Sequence, residues 1–308
     1  MKNFLSIRDL TPAELRRLIE RTLDFKTGKG ERLLEGKTVA LIFQKPSTRT
    51  RVSFEVAITQ LGGHPTYLGW NDLQLGRGET IADTARVLSK YVDAVVMRLF
   101  RHADLLEFAK HSSVPVINAL TDLEHPCQTV ADLATLREHF GRLEGLKVSW
   151  VGDGNNVCNS LILACALLGI DVSLAIPEGF EPKLLSDALE LAKASGSKIE
   201  LLREPSDAVR GADAVYTDVF VSMGQEAEME RRRKIFYPRY QVNEELLSKC
   251  RPETIVMHCQ PWKVGEEISE GVAYSNRCVA FQQAENRLHS SKAVFEFCFS
   301  PVSQASST

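Results

Sequence analysis

Apolar residues fall along this chain in two alternating rhythms. Short continuous runs of four to six read as buried strands, and segments with apolar positions every three to four residues read as helices. Thr11 and Pro12 open the first helix as cap and first helical residue, with Leu15, Leu18, Ile19 and Leu23 as its stripe. Residues 39–43 (Val-Ala-Leu-Ile-Phe) predict a strand. A helix carrying Val52, Phe54, Val56, Ile58 and Leu61 follows it. Next come a strand over 66–68, a glycine- and charge-bearing loop over 71–79 expected to be mobile and solvent-facing, a helix over 80–91, and a strand over 94–97 ending at Arg98. A helix over 103–111 and a strand over 114–118 complete the first half. A long helix over 129–140 is expected to join it to the second. There the rhythm continues with strands over 147–151, 171–176, 198–202, 214–217 and 254–257. Helices over 157–168, 182–195 and 208–212 lie between them, and a last helix covers 280–299. Residues 219–250 are dense in charge and predict a solvated helix or lid rather than core. Repetition of strand, helix, strand points to an α/β protein with parallel sheets covered on both faces.

The length of 308 residues suits two domains, each able to bury a core. A hydrophobic share of 44% and a charged share of 25% are those of an ordinary water-facing protein. A net charge of −3 leaves no basic footprint, so no nucleic-acid partner is expected. No apolar run is long enough to span a bilayer, and the residues after Met1 lack a signal-peptide core, so neither a membrane nor an export signal is expected. The seven cysteines are scattered and without paired metal spacing, which argues for reduced thiols in a cytoplasm. The polar tail 303–308 is expected to fray.

Chemistry enters at Lys45-Pro46-Ser47-Thr48-Arg49-Thr50-Arg51. Pro46 keeps Lys45 extended, and Ser47 is a favoured N-cap for the helix that follows. A helix N-terminus attracts anions, and Arg49 and Arg51 can each grip a phosphate with two parallel hydrogen bonds. A phosphate cradle is the natural reading, although it is not a Walker loop. Other polar residues follow strand ends: Arg98, His125, Asn156, Asp218 and Cys259. Ligands of open parallel sheets sit outside those ends. Each has a plainer reading alone: Arg98 a surface ion pair, His125 or Asp218 a cap, Cys259 a small buried hydrophobe. Gly152-Asp153-Gly154 reads as a tight turn against a ligand. It is a poor dinucleotide fingerprint, with Val157 at the third glycine position.

Together these motifs resemble the carbamoyltransferases, the family that includes ornithine and aspartate carbamoyltransferase. The resemblance runs from about Phe4 to Phe299 through Ser47-Thr48-Arg49-Thr50, Arg98, His125 with Gln128, Asp218 with Ser222-Met223-Gly224, His258-Cys259 and Arg287. It implies two doubly wound parallel-sheet domains. A carbamoyl phosphate domain would cover 1–138, an amino-acid domain 139–279, and 280–308 would form a helix returning to the first domain. It also implies a catalytic homotrimer or a multiple of trimers, in which Gln74 reaches the neighbouring subunit's site. On that reading Ser47, Thr48, Arg49, Thr50 and a neighbour's Gln74 hold the phosphate of carbamoyl phosphate. Arg98 and His125, with Thr50, stabilise charge growing on the carbonyl oxygen. Gln128 and the backbone around Cys259 and Arg287 hold the carbamoyl NH₂. Asp218 and Cys259 handle the amine and its proton, and Asn156, Ser222 and Met223 bind the amino-acid end. No metal and no other cofactor is called for, because the histidines lack paired ligand spacing.

An aspartate acceptor would need cationic groups for its side-chain carboxylate, yet Asn155-Asn156-Val157-Cys158 carries no arginine. Asp218 and the Ser222-Met223-Gly224 segment favour a cationic acceptor, L-ornithine. Gln260-Pro261-Trp262 departs from the family pattern, which usually has Leu after the cysteine and a small residue after the proline. That departure keeps putrescine, lysine and acylated ornithine open as acceptors. A nicotinamide-dependent dehydrogenase built on the Gly152 turn, and a non-catalytic relative that binds a ligand or a protein partner, are the competing readings.

Overall fold

The computed structural model describes residues 1–222 and 224–300, so Met223 and the polar tail over 303–308 lie outside the described residues. The chain divides into two compact units, Met1–Ala131 with the chain from Arg287 on, and Asp132–Asn286. Among the described residues, no helix is long and apolar enough to cross a membrane.

The first unit runs α1 (Pro12–Lys26), β1 (Thr38–Phe43), α2 (Thr48–Gln60), β2 (His64–Gly69), α3 (Ile81–Leu88), β3 (Ala94–Arg98), α4 (His102–His111) and β4 (Val116–Leu120), then enters α5 (Pro126–Phe140). Its four strands are all parallel in the order β2-β1-β3-β4. All five residues of β3 are buried, as a strand covered on both faces requires. A capping box between Thr11 and Glu14 starts α1. The C-terminal part of the last helix (Ala280–Phe299) belongs to this unit. Phe295 meets Phe54 edge-on at 5.8 Å between ring centres, and Phe297 meets Phe4 at 6.0 Å. Arg21 grips the Glu296 carboxylate from two nitrogens, Nε at 2.9 Å and Nη2 at 2.8 Å.

The second unit takes the rest of α5, then β5 (Lys147–Val151), α6 (Asn156–Leu168), β6 (Asp171–Ala175), α7 (Leu185–Ser195), β7 (Ile199–Leu202), α8 (Pro205–Ala208), β8 (Ala214–Thr217), α9 (Met229–Phe236), α10 (Glu244–Leu247), β9 (Ile255–His258), α11 (Glu270–Ala273) and the start of α12 (Ala280–Phe299). Its five strands are parallel in the order β7-β6-β5-β8-β9. Each sheet therefore reverses its strand order once, between β1 and β3 in the first and between β5 and β8 in the second. Such reversals open a crevice at the carboxyl ends of the two flanking strands. The two doubly wound parallel sheets match the α/β expectation.

Several local expectations are corrected. The loop expected over 71–79 carries 3-10 turns at Trp70–Asp72 and Gln74–Arg77, and Leu75 within it is buried rather than solvent-facing. The short helix expected over 208–212 is Pro205–Ala208, because Pro205 supplies a first helical residue. The charge-rich stretch is not wholly solvated. On α9, Arg232 and Phe236 face inward, and Phe236 packs on Phe180, Phe220 and Tyr240. The turn at Gly154 presses on its own chain. A Cβ there would lie 2.4 Å from the Phe180 carbonyl oxygen, so only glycine fits.

Candidate active site

In the first unit the site grows from the reversal between β1 and β3. Ser47 caps α2, its Oγ accepting from the Thr50 N–H at 3.2 Å and donating to Thr50 Oγ1 at 3.1 Å. Thr50 Oγ1 also accepts from Arg98 Nη1, at the end of β3, and from Arg287 Nη2 on α12, both at 3.3 Å. Arg287 Nη1 donates to Gln128 Oε1 at 2.5 Å. Thr50, Arg98, His125, Gln128 and Arg287 are all buried, so the guanidinium groups act in a low-dielectric setting where their charge is poorly screened.

His125 stands immediately before α5. Burial, followed by the charges of Arg287 and Arg98, holds its imidazole well below its usual range. The ring is thus neutral and can donate one hydrogen bond while accepting none of the cationic load. Arg49 and Thr48 lie in the first turn of α2, Thr48 exposed and Arg49 half-buried. Arg51, expected to help grip phosphate, is engaged elsewhere. It pairs with Glu55 at 3.0 Å and stacks on the Tyr67 ring at 3.7 Å, because one residue's step around the helix turns it away from Thr50. Gln74 is exposed at the start of its 3-10 turn, and no described hydrogen bond joins it to the Thr50 cluster.

In the second unit the corresponding reversal lies between β5 and β8. Asn155 caps α6, its Oδ1 accepting from the N–H groups of Val157 and Cys158 at 2.9 and 3.1 Å. Its Nδ2 donates to Asp218 Oδ2 at 2.7 Å, just past β8. The Asp218 carboxylate also accepts from the Val219 N–H at 2.8 Å and from the Cys259 thiol. Burial pushes Asp218 up, and His258 and these hydrogen bonds work against that rise. Asn156 is the first residue of α6 and half-buried. Ser222 is half-buried with its N–H donating to Gln225 Oε1 at 3.0 Å. Met223 lies outside the described residues.

His258 ends β9 with no exposed surface. Its Nδ1 accepts from the Gln260 N–H at 2.9 Å, which leaves the ring proton on Nε2, facing Glu267 Oε1 at 3.2 Å. That clamp fixes the Cys259 turn, where Gln260 takes a left-handed φ of 57°. The ligand atoms of Asp218, His258 and Cys259 lie within 4.8 Å of one another. The fold gathers them from the ends of β8 and β9. Sequence reasoning singled out Asn156 but missed Asn155 and Glu267. The N-cap preference of Asn before α6 was the available signal for Asn155.

Two family models match the chain. The carbamoyl-P binding domain of the aspartate/ornithine carbamoyltransferases matches residues 2–138, and their Asp/Orn binding domain matches 144–298. An ornithine carbamoyltransferase of Pyrococcus horikoshii is 54% identical over 299 residues, 95% of this chain and 94% of that protein. The chain belongs to the aspartate/ornithine carbamoyltransferase family. Among solved structures, the ornithine carbamoyltransferase from Pyrococcus furiosus superposes with a TM-score of 0.91 at 53% identity, covering 96% of both chains. The anabolic ornithine carbamoyltransferase from Campylobacter jejuni superposes with the same TM-score at 41% identity, covering 97% of this chain and 99% of the other. In this carbamoyltransferase, Ser47 to Thr50, Arg98, His125 and Gln128 fall in the carbamoyl-P model, and Asn155, Asp218 and Cys259 in the Asp/Orn model. Arg287 lies within the Asp/Orn model yet packs in the first unit, because α12 carries it there.

Proposed function

We propose that this chain is an ornithine carbamoyltransferase, moving the carbamoyl group of carbamoyl phosphate to the side-chain amine of L-ornithine and releasing citrulline and phosphate. The observation that carries the choice of acceptor is the buried Asp218 carboxylate, hydrogen-bonded to Asn155 and the Cys259 thiol at the β5/β8 reversal. A buried carboxylate suits an ammonium and repels a second carboxylate, so ornithine fits where aspartate does not. The dehydrogenase reading loses its support: Gly154 presses on the 180–182 backbone, and Asp153 is paired with Arg232.

The chemistry assigns roles. Ser47, Thr48, Arg49 and Thr50 hold the phosphate at the N-terminus of α2. Gln128 and the Cys259 backbone hold the carbamoyl NH₂, and Arg287 orients Gln128. Ornithine's ammonium, drawn to Asp218, gives up a proton to the Asp218–Cys259 pair. The free amine then attacks the carbonyl carbon and a C–N bond forms. Negative charge moves to the carbonyl oxygen, where Arg98, Thr50 and neutral His125 stabilise it. The C–O bond to phosphorus-bound oxygen then breaks, its electron pair leaving with phosphate, and the amine's second proton passes to phosphate or water. Holding both substrates in place supplies much of the rate. Asn156, Ser222 and Met223 take the α-amino-acid end.

The same reading carries a homotrimer in which a neighbour's Gln74 completes the phosphate cradle; the exposure of Gln74 supports it. It also carries a cytoplasmic setting, which the seven cysteines, none of them in a disulfide, support. Replacing Arg49 by Ala should cut kcat/KM for carbamoyl phosphate by about 100-fold or more while circular dichroism stays unchanged. An Arg49→Ala protein with wild-type turnover would refute the assignment.

A further inference from the structure

Arg232 is a charged residue on a charge-rich helix, yet it is only 4% exposed. Its guanidinium lies over the rings of Phe180 and Phe236, 4.9 and 5.6 Å from their centres. Nη2 pairs with Asp153 Oδ2 and Nε donates to the Phe220 carbonyl at 2.6 Å, with Glu228 at 3.6 Å on the outer side. These two inner partners belong to different strand ends. Asp153 sits in the turn after β5, two residues before Asn155, and its carbonyl accepts from Trp150 Nε1 at 2.9 Å. Phe220 sits two residues after Asp218 on the segment following β8. Asn155 and Asp218 are bonded directly to each other at 2.7 Å.

We propose that Arg232 is a positioning residue for the amine substrate, its guanidinium joining the Asp153 turn to the Phe220 backbone and so holding Asn155 and Asp218 in register. The inference rests on the ornithine carbamoyltransferase reading and deepens it. A planar fork with donors at fixed separation joins two strand ends in one geometry, which a lysine's compact, rotatable ammonium on a flexible stem does not impose. Burial pushes the Asp153 carboxyl up to about 6 in spite of Arg232. A buried ion pair is weak evidence for stability, so the value of this one lies in geometry. The Phe180 and Phe236 rings, packed on each other at 4.9 Å, crowd the guanidinium and leave it little room to move, and a misplacement of about 1 Å near reacting groups is enough to cost about 100-fold. The same contacts dock α9 beside the Ser222 segment, which takes the amino-acid end of the substrate.

The test is the double variant Arg232→Met with Asp153→Asn. It removes both charges together and leaves no unpaired ion in the core. Turnover of ornithine by the wild type is measured first; its absence refutes the functional reading itself rather than this inference. With that turnover in hand, the double variant should raise KM for ornithine by about tenfold or more, while KM for carbamoyl phosphate stays within about twofold and the melting temperature stays near that of the wild type. An ornithine KM within about twofold of wild type overturns the proposal. So does an equal rise of both KM values, since that marks a general loss of fold. If the double variant does not fold, Arg232→Lys is read by the same criteria. It keeps a charge for Asp153 but loses the bond to Phe220.

Discussion

At the scale of single residues, one hydroxyl gathers the polar cluster of the first unit. Thr50 Oγ1 accepts from Ser47, Arg98 and Arg287, three residues from three elements of one unit. Beside it His125 is buried and neutral, and this neutrality has a measurable signature. The folded ring binds its proton well below pH 6.5, whereas the unfolded chain binds it near 6.5. Below that value the unfolded state takes up a proton that the folded state refuses, so stability falls as pH falls; above it this residue adds no slope. Urea unfolding of the wild type between about pH 7 and pH 5 should therefore fall more steeply than that of His125→Asn, by up to about 1.4 kcal/mol per pH unit. Parallel profiles for the two proteins would contradict a depressed His125.

At the scale of elements, the turns after β5 and β8 decide how the polar cluster of the second unit is built. Gly154 shows how tightly: a Cβ there would meet the Phe180 carbonyl at 2.4 Å and the Pro182 nitrogen at 2.5 Å, both backbone atoms with little freedom to yield. Gly154→Ala should destabilise the protein by about 1–3 kcal/mol, read as a lower melting temperature, and should weaken ornithine binding by displacing Asn155. An unchanged melting temperature would show that the turn can relax. These turns also mark where sequence reading stops. Strands β3, β5 and β8 and helix α12 were legible, because their apolar runs or periodic stripes are long enough to exceed chance. Four-residue α8 has no period to read. Arg232 looked like surface because a charge in a run of charges normally is, and its buried partner Asp153 is 79 residues away. Asn155 and Asn156 are identical in type, and only the cap geometry distinguishes them. Arg51 and Arg49 pose the same problem, two arginines separated only by their angle around α2.

At the scale of the whole molecule, each sheet reverses its strand order once, and the candidate residues of each unit collect at that reversal. The first unit presents cations and a neutral imidazole, the second a carboxyl and a thiol, and on the proposed reading these meet carbamoyl phosphate and the amine respectively. If Gln74 serves a neighbouring subunit, the purified protein should sediment as a trimer or a multiple of it, and Gln74→Ala should raise KM for carbamoyl phosphate by about tenfold. An active monomer would remove that part of the reading. The account as a whole is tested most directly by supplying carbamoyl phosphate with ornithine, putrescine, lysine, N-acetylornithine or aspartate and measuring ureido product and phosphate together. It predicts citrulline from ornithine, equal in amount to the phosphate released and absent when either substrate is omitted. A ureido product from another amine but not from ornithine would contradict it.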